Sequence, residues 1–204
     1  MPALFLSLLS SAVVAATPLT PQPWFEFKDY PMDAFEKNWE GLTRFQLLIA
    51  PDGRIASCSI VRSSGHPSLD EKTCYLATKR ARFSPARGPD GAGAWGIYRS
   101  QAAWVFPEHR MEGAEPGPDL EVNVAKLPAG TAEPPVVKVA YAVDTQGNAS
   151  SCSLMRNAPP QPQALVDVGC QQLLQEIGKQ PVVGPSGQPV PAVRTAAVKF
   201  TAPE

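Results

Sequence analysis

The chain is self-similar, and nothing else in it constrains its fold as strongly. At a displacement of 94 positions, RIASCSIVR (54–62) falls on NASSCSLMR (148–156), Gly53 on Gly147, Cys58 on Cys152 and Arg62 on Arg156. Phe45, Leu47 and Ile49 fall on Val139, Tyr141 and Val143. The displacement then grows to 96, where Leu69 meets Leu165, Cys74 meets Cys170, Pro85 meets Pro181 and GPDG (88–91) meets GPSG (184–187). It returns to 94 where AAWVF (102–106) meets AAVKF (196–200). Both compensating gaps fall in loop-like sequence, where a duplicated fold tolerates them. The fold must therefore be built from two copies of one unit of about 70 residues, a size whose core is small.

Each unit reads strand, turn, strand, helix, strand. In the first, Phe45, Leu47 and Ile49 alternate with Arg44, Gln46 and Leu48 along a half-buried strand. Pro51-Asp52-Gly53 is a hairpin turn, in which proline fixes φ and glycine supplies a positive φ. The return strand, 55–62, puts Ala56, Cys58 and Ile60 on one face. Ser63-Ser64-Gly65-His66-Pro67 breaks it. Ser68 with Glu71 three residues on reads as a capping box. The helix that follows carries Asp70 and Glu71 at its start and Lys79, Arg80 and Arg82 at its end, matching the macrodipole. A third strand is expected from Ile97 to Phe106. In the second unit Val137, Val139, Tyr141 and Val143 alternate, and Val166, Cys170, Leu173, Leu174 and Ile177 form an amphipathic stripe that Gly178 ends.

Residues 1–16, MPALFLSLLSSAVVAA, read as a cleaved signal peptide: an apolar stretch from Leu4 to Val14, then small residues before a cut near Ala16. Leu4–Ala16 would reach only about 20 Å as a helix, short of a comfortable bilayer span. The alternative is an inner-membrane anchor. Export changes how the four cysteines read. None has C-x-x-C spacing, and an even number in an oxidising compartment favours disulfides. Each unit owns one pair, so Cys58–Cys74 and Cys152–Cys170 are expected. Each would join the unit's middle strand to its covering helix across the core.

Composition narrows the function. A net charge of −1 argues against a nucleic-acid binder. Two histidines, His66 and His109, cannot build a multi-histidine metal site. GPDGAGAWG (88–96) lacks the Lys-Ser/Thr of a phosphate loop and follows a helix. Ser63, Ser64, His66 and Asp70 lie close together but read as turn and cap, and the second unit keeps none of them. Lys79, Arg80, Arg82 and Arg87 form the one basic cluster. The sequence assigns no catalytic residue, no metal ligand, no cofactor and no small-molecule substrate; an enzyme is not expected.

The order Tyr30-Pro31, Gly41, Asp52-Gly53, Ser63-Ser64-Gly65, Leu69-Asp70, Phe83, Pro85-Ala86, Gly91 and Phe106 resembles the TonB C-terminal domain family. The second unit is similar only as a degenerate copy. It keeps Gly147, its cysteines, Pro181, Gly187 and Phe200, but has Asn157-Ala158-Pro159 for the Ser-Ser-Gly and Lys179 for Phe83. The resemblance implies an α+β fold: two ββαβ units, each a three-stranded antiparallel sheet covered by a helix, to which the cysteine spacing adds one disulfide per unit. It divides the chain into a signal peptide (1–16), a first unit (30–106), an acidic Pro/Gly-rich linker (107–133) and a second unit (134–200). A short strand is possible at 120–125 in that linker.

Family members contact outer-membrane transporters in the periplasm, whose short N-terminal segments add as a strand to the edge of the sheet. The resemblance therefore implies a partner-binding edge at Ile97, Tyr98, Arg99, Ser100, Gln101, Ala102, Ala103, Trp104 and Val105, with Ala192–Val198 as its counterpart. The partners would be proteins, the N-terminal segments of transporters first among them. The chain departs from the family's energy transducers in its short apolar segment and in having only about 13 residues between that segment and the first unit, too few to carry force across a periplasm. The expectation is an exported binding protein. The alternative is a structural protein of the envelope whose two sheets pair with each other and have no transport role.

Overall fold

A computed structural model describes residues 12–19, 23–109 and 117–203. The first unit runs from α1 (Met32–Glu36) through β2 (Gly41–Ile49), β3 (Ile55–Arg62), α2 (Pro67–Arg80), β4 (Phe83–Ser84) and β5 (Ala86–Arg87) to β6 (Gly93–Trp104); β1 is the short N-terminal strand Thr17–Pro18. β2 is the central strand, antiparallel to β3 on one side and to β6 on the other. Thr43, Phe45, Leu47 and Ile49 are buried, and Phe45, Leu47 and Ile49 meet Leu69, Leu76 and Ala77 of α2. Burying a side chain of this size contributes about 1.5–3 kcal/mol. Four sequence expectations shift. Cys58 lies on β3, an outer strand, so its staple pins the sheet's margin to α2. The helix starts two residues earlier: His66 is the N-cap, Pro67 takes the first position, and Ser68 makes no cap bond. Proline suits that position because no N–H is needed there. Pairing with β5 starts β6 at Gly93, and the strand ends at Trp104, before Phe106. The fourth shift concerns how the units join.

The second unit repeats the element order with β8 (Val136–Val143), β9 (Ala149–Leu154), α3 (Gln163–Glu176), β10 (Val182–Val183), β11 (Pro189–Val190) and β12 (Ala192–Thr201). Cys58 bonds Cys74 and Cys152 bonds Cys170, each pair 5.6 Å apart at Cα. The turn glycines match as well. Gly53 has φ +86° and a Cβ there would lie 2.4 Å from the Phe83 carbonyl oxygen; Gly147 has φ +83° and a Cβ would lie 2.5 Å from the Pro181 nitrogen. Gly53→Ala and Gly147→Ala are each expected to cost about 2–4 kcal/mol from strain plus contact. Gly187→Ala, at φ +79° with nothing within 4 Å, should cost only about 1 kcal/mol. Urea melts of the three variants check this ordering.

The two units share one sheet, in the order β3-β2-β6-β12-β8-β9. The seam is a parallel contact of two residue pairs, Trp95 with Ala192 and Gly96 with Val193. Strand alternation then fixes the faces. Trp95 and Ile97 share a face with Leu48, opposite the face that meets α2. Ala192 shares a face with Ala196, Val198 and Phe200, which pack under α3 with Leu165, Val166 and Leu173. The helices therefore cover opposite faces, and each unit extends over its neighbour's bare side. Val182 and Val190 of the second unit close on Leu48 and Ile97 of the first. The linker also enters the sheet: β7 (Leu120–Asn123) runs parallel to β12, pairing Leu120–Asn123 with Val198–Thr201.

The N-terminal segment is part of this architecture. Thr17 and Pro18 pair with Ser84 and Phe83, and Val14 bridges Arg87 through N–H···O bonds of 3.0 and 2.9 Å. Val13, Ala15 and Ala16 are buried with Phe83 and Ala86 of the first unit and with Ala140, Ala142 and Val193 of the second. The rest of the expected signal peptide, 1–11, lies outside the described residues. Among the described residues no helix is long and apolar enough to cross a membrane.

Candidate partner-binding edge

β6 is held on one side along its length, from Gly41–Trp104 to Ile49–Gly96. Its other side meets β12 only at Trp95 and Gly96. Beyond that contact the two strands diverge. The wedge between them is a cavity of about 660 Å3, lined by Tyr98, Arg99, Asp119, Thr195, Ala197 and Thr17 among others. Among the described residues no strand pairs with Ile97–Trp104 on this side.

The side chains of this stretch are anchored to the first unit. Tyr98 packs edge-on against Phe83, with ring centroids 4.9 Å apart, and tilts over Trp24. Ala102 and Trp104 are buried, and the Trp104 indole N–H donates to Thr73 Oγ1 at 2.9 Å. On the opposite face Ile97 is covered by the second unit. Arg99 is exposed; its Nε donates to Gln46 Oε1 at 3.2 Å and its guanidinium stands 3.8 Å from Asp119. Ser100, Gln101 and Val105 are half-buried and Ala103 is exposed. Fixed side chains and an uncovered main chain suit recognition through backbone hydrogen bonds, in which sequence identity matters little.

The counterpart edge differs. Ala192–Val198 is taken up by the chain itself, by β6 at Ala192 and Val193 and by β7 from Val198 onward. Asp119 closes the gap: its N–H donates to the Ala197 carbonyl, and its carboxylate accepts from the Ala197 N–H, both at 2.8 Å. The second-unit edge expected from the sequence is therefore not open. Nearby, Arg194 is 9% exposed and donates to the Gln180 carbonyl at 3.3 Å.

An aromatic cluster that the sequence reading missed sits where β6 ends. Tyr30 packs on Trp104 at 5.4 Å and Phe106 at 5.2 Å, and Phe27 and Phe35 pack on Phe106. Burial pushes the Tyr30 hydroxyl up to about 12, with the nearby Glu40 carboxylate adding to it; the hydroxyl donates to the Trp39 carbonyl at 2.6 Å. The Phe106 N–H and the His109 ring hold Glu40 below the usual carboxylate range. Phe27 and Phe35 remain partly exposed on this cluster. The density of aromatics between Trp24 and Phe35 was the available clue.

The other groups singled out from the sequence have structural partners. Asp70 accepts from Ser63, Ser64 and Thr43, which accounts for the Ser-Ser-Gly turn. His66 stacks on Trp39 at 4.5 Å. Of the basic cluster, Arg80 grips the buried Asp29 at 2.5 and 2.6 Å, Arg82 caps the end of α2 through the carbonyls of Lys79 and Ala81, and Arg87 bonds the Gly91 carbonyl. Among the described residues no cluster of three His, Cys, Asp or Glu could hold a metal ion.

Residues 27–92 match the family model described as the Gram-negative bacterial TonB protein C-terminal. The match stops one residue short of β6. The solution NMR structure of the Pseudomonas aeruginosa TonB C-terminal domain is similar over 49% of this chain and 100% of that one, at 22% identity and a TM-score of 0.36. No curated protein matches the chain.

Proposed function

We propose, from the match of residues 27–92 to the TonB C-terminal family model, that the chain is an exported envelope protein that binds partners by strand addition to β6. The partners are the N-terminal segments of outer-membrane transporters, or envelope proteins with a similar extended segment. The observation that supports this reading is the wedge: β6 has an unpaired edge from Ile97 onward, and at Tyr98 and Arg99 that edge lines a cavity of about 660 Å3. An incoming strand would pair with the main chain of Ile97–Val105 and sit between Arg99 and Thr195. This reading requires no chemistry beyond binding and calls for no cofactor.

Titrating the 15N-labelled protein with synthetic peptides from transporter N-termini tests it. Amide shifts concentrated in Ile97–Val105, with Thr195–Ala197 following, are expected. Saturating peptide that leaves these amides unmoved would rule the edge out. A second reading has its own support. The β6–β12 ladder is a pairing of the two sheets, as a purely structural envelope protein would have. Under that reading the wedge stays empty and the titration is silent.

A further inference from the structure

We propose that the junction of the two units holds a binding site for a small organic monocarboxylate, anchored by the Arg194 guanidinium. The site lies apart from the unpaired edge of β6 and does not depend on strand addition there.

A second cavity, of about 250 Å3, opens on the face of the joined sheet opposite α2. The first unit supplies one wall. Strand register places Ser59 beside Gln46, and Ser57 and Ile97 on either side of Leu48. The second unit supplies the other wall through Pro181, Val182, Val183 and Arg194. Small-molecule sites favour such junctions between folded units. The volume falls below the usual range of about 300–1,000 Å3, so the occupant is small.

Arg194 gives the cavity its chemistry. The residue is only 9% exposed, and its hydrogen bond goes to a neutral group, the Gln180 carbonyl, at 3.3 Å. Its other donors are left for an occupant. Among the described residues no aspartate or glutamate lines the cavity or pairs with Arg194. Asp119, whose charge is felt there, is committed to the Ala197 N–H and to Arg99. Burial pushes the pKa of Arg194 down from the ordinary arginine value, with Tyr141 and Asp119 opposing and Arg99 adding to the effect. A buried charge is costly unless an opposite charge meets it. An anion in the cavity would supply that charge.

The surroundings select the kind of anion. The planar guanidinium fork matches the two oxygens of a carboxylate. One buried cation balances one negative charge. Gln46 Oε1 accepts from Arg99 Nε at 3.2 Å. That leaves the Gln46 amide N–H groups, with the Ser57 and Ser59 hydroxyls at the rim, to donate to the outer lone pairs of the anion. Leu48, Ile97 and Val182 form an apolar floor for a short hydrocarbon body. 3-Methylbutanoate meets all of these terms. Inorganic phosphate carries more charge and has no apolar part.

The test titrates the full isotopically labelled chain, folded under oxidising conditions, with sodium 3-methylbutanoate. Saturable shifts are expected at the Arg194 Nε–H and at the Val182 and Val183 amides. The neutral analogue 3-methylbutan-1-ol should leave Arg194 unmoved. At a concentration about 100 times its Kd, 3-methylbutanoate should raise the melting temperature by roughly 5–10 °C. Arg194→Gln should weaken binding by roughly tenfold or more. Where that variant does not fold, Gln46→Glu decides: it keeps an acceptor for Arg99 and puts a carboxylate on the cavity wall, so it should fold and lose binding. Shifts that never saturate, an equal response to the alcohol, or wild-type binding by the Gln46→Glu protein overturns the site. Equal or tighter binding of inorganic phosphate overturns the carboxylate assignment. Shifts confined to Ile97–Val105 would place the binding on the β6 edge and overturn this cavity.

Discussion

Replacing Asp70 with alanine is expected to destabilise the protein by about 3–5 kcal/mol, because several buried polar groups lose their partner together. The carboxylate is 8% exposed. It accepts from Thr43 Oγ1 at 2.8 Å, from the Ser64 N–H at 2.9 Å and from the Ser63 hydroxyl at 2.5 Å. These bonds fasten the first turn of α2 to β2 and to the turn leaving β3. Asp70→Asn keeps the shape but turns part of an acceptor into a donor facing donors, so it should fall between wild type and alanine. Chemical denaturation measures all three.

The same site gives the protein an acid limit. Burial pushes the Asp70 carboxyl up, but the bonds from Ser63, Ser64 and Thr43 outweigh it and leave it below the usual range. The Arg80 guanidinium holds Asp29 below that range too. A depressed folded pKa contributes stability that is present above the unfolded value, about 3.9, and lost as pH falls through the folded one. Stability should therefore be level from about pH 7 to pH 5 and decline below about pH 4. Asp70→Ala should show a shallower decline, measured as the midpoint of urea unfolding against pH.

The duplication was legible because both copies keep the residues that backbone geometry demands. Gly53 and Gly147 sit at positive φ against backbone atoms, and the strand–helix cysteine pairs recur at one spacing. The union of the two sheets was legible only as an alternative, without its place in the chain. It depends on two parallel residue pairs at Trp95 and Gly96, and ordinary strand residues can pair with many others. A short strand at 120–125 was legible as a possibility, and β7 forms there at Leu120–Asn123, but its partner was not; its place against β12 is fixed by Asp119 reaching the Ala197 backbone. β1 was hidden because a two-residue strand at Thr17–Pro18 carries no periodicity. At the candidate site, Ile97–Val105 came from the resemblance and the structure leaves that edge uncovered, whereas the matching edge on β12 is filled by segments distant in sequence.

The joined sheet changes what loss of one staple should do. Removing Cys58–Cys74 by a double alanine substitution opens a loop with a sequence separation of 16, and Cys152–Cys170 closes one of 18. Each is worth about 3 kcal/mol in the chain-entropy model, and the two loops are too alike in length to differ measurably. For a chain of this size the melting temperature should fall by roughly 6–12 °C in either double variant. The local response should differ from the global one. β3 is mostly exposed, with Ile60 and Val61 turned to solvent, so without its tie to α2 the hydrogen exchange of its amides should rise first. Unfolding itself should remain one transition. Ala140, Ala142 and Val193 of the second unit lie in the core cluster of the first, and Val182 and Ala192 close over Leu48 and Ile97. Neither unit can melt without exposing apolar surface of the other. Calorimetry on the Cys58→Ala/Cys74→Ala protein decides this. A single peak at lower temperature is the expected record, and two peaks with the upper one unmoved would mean that the units are stapled and stable independently.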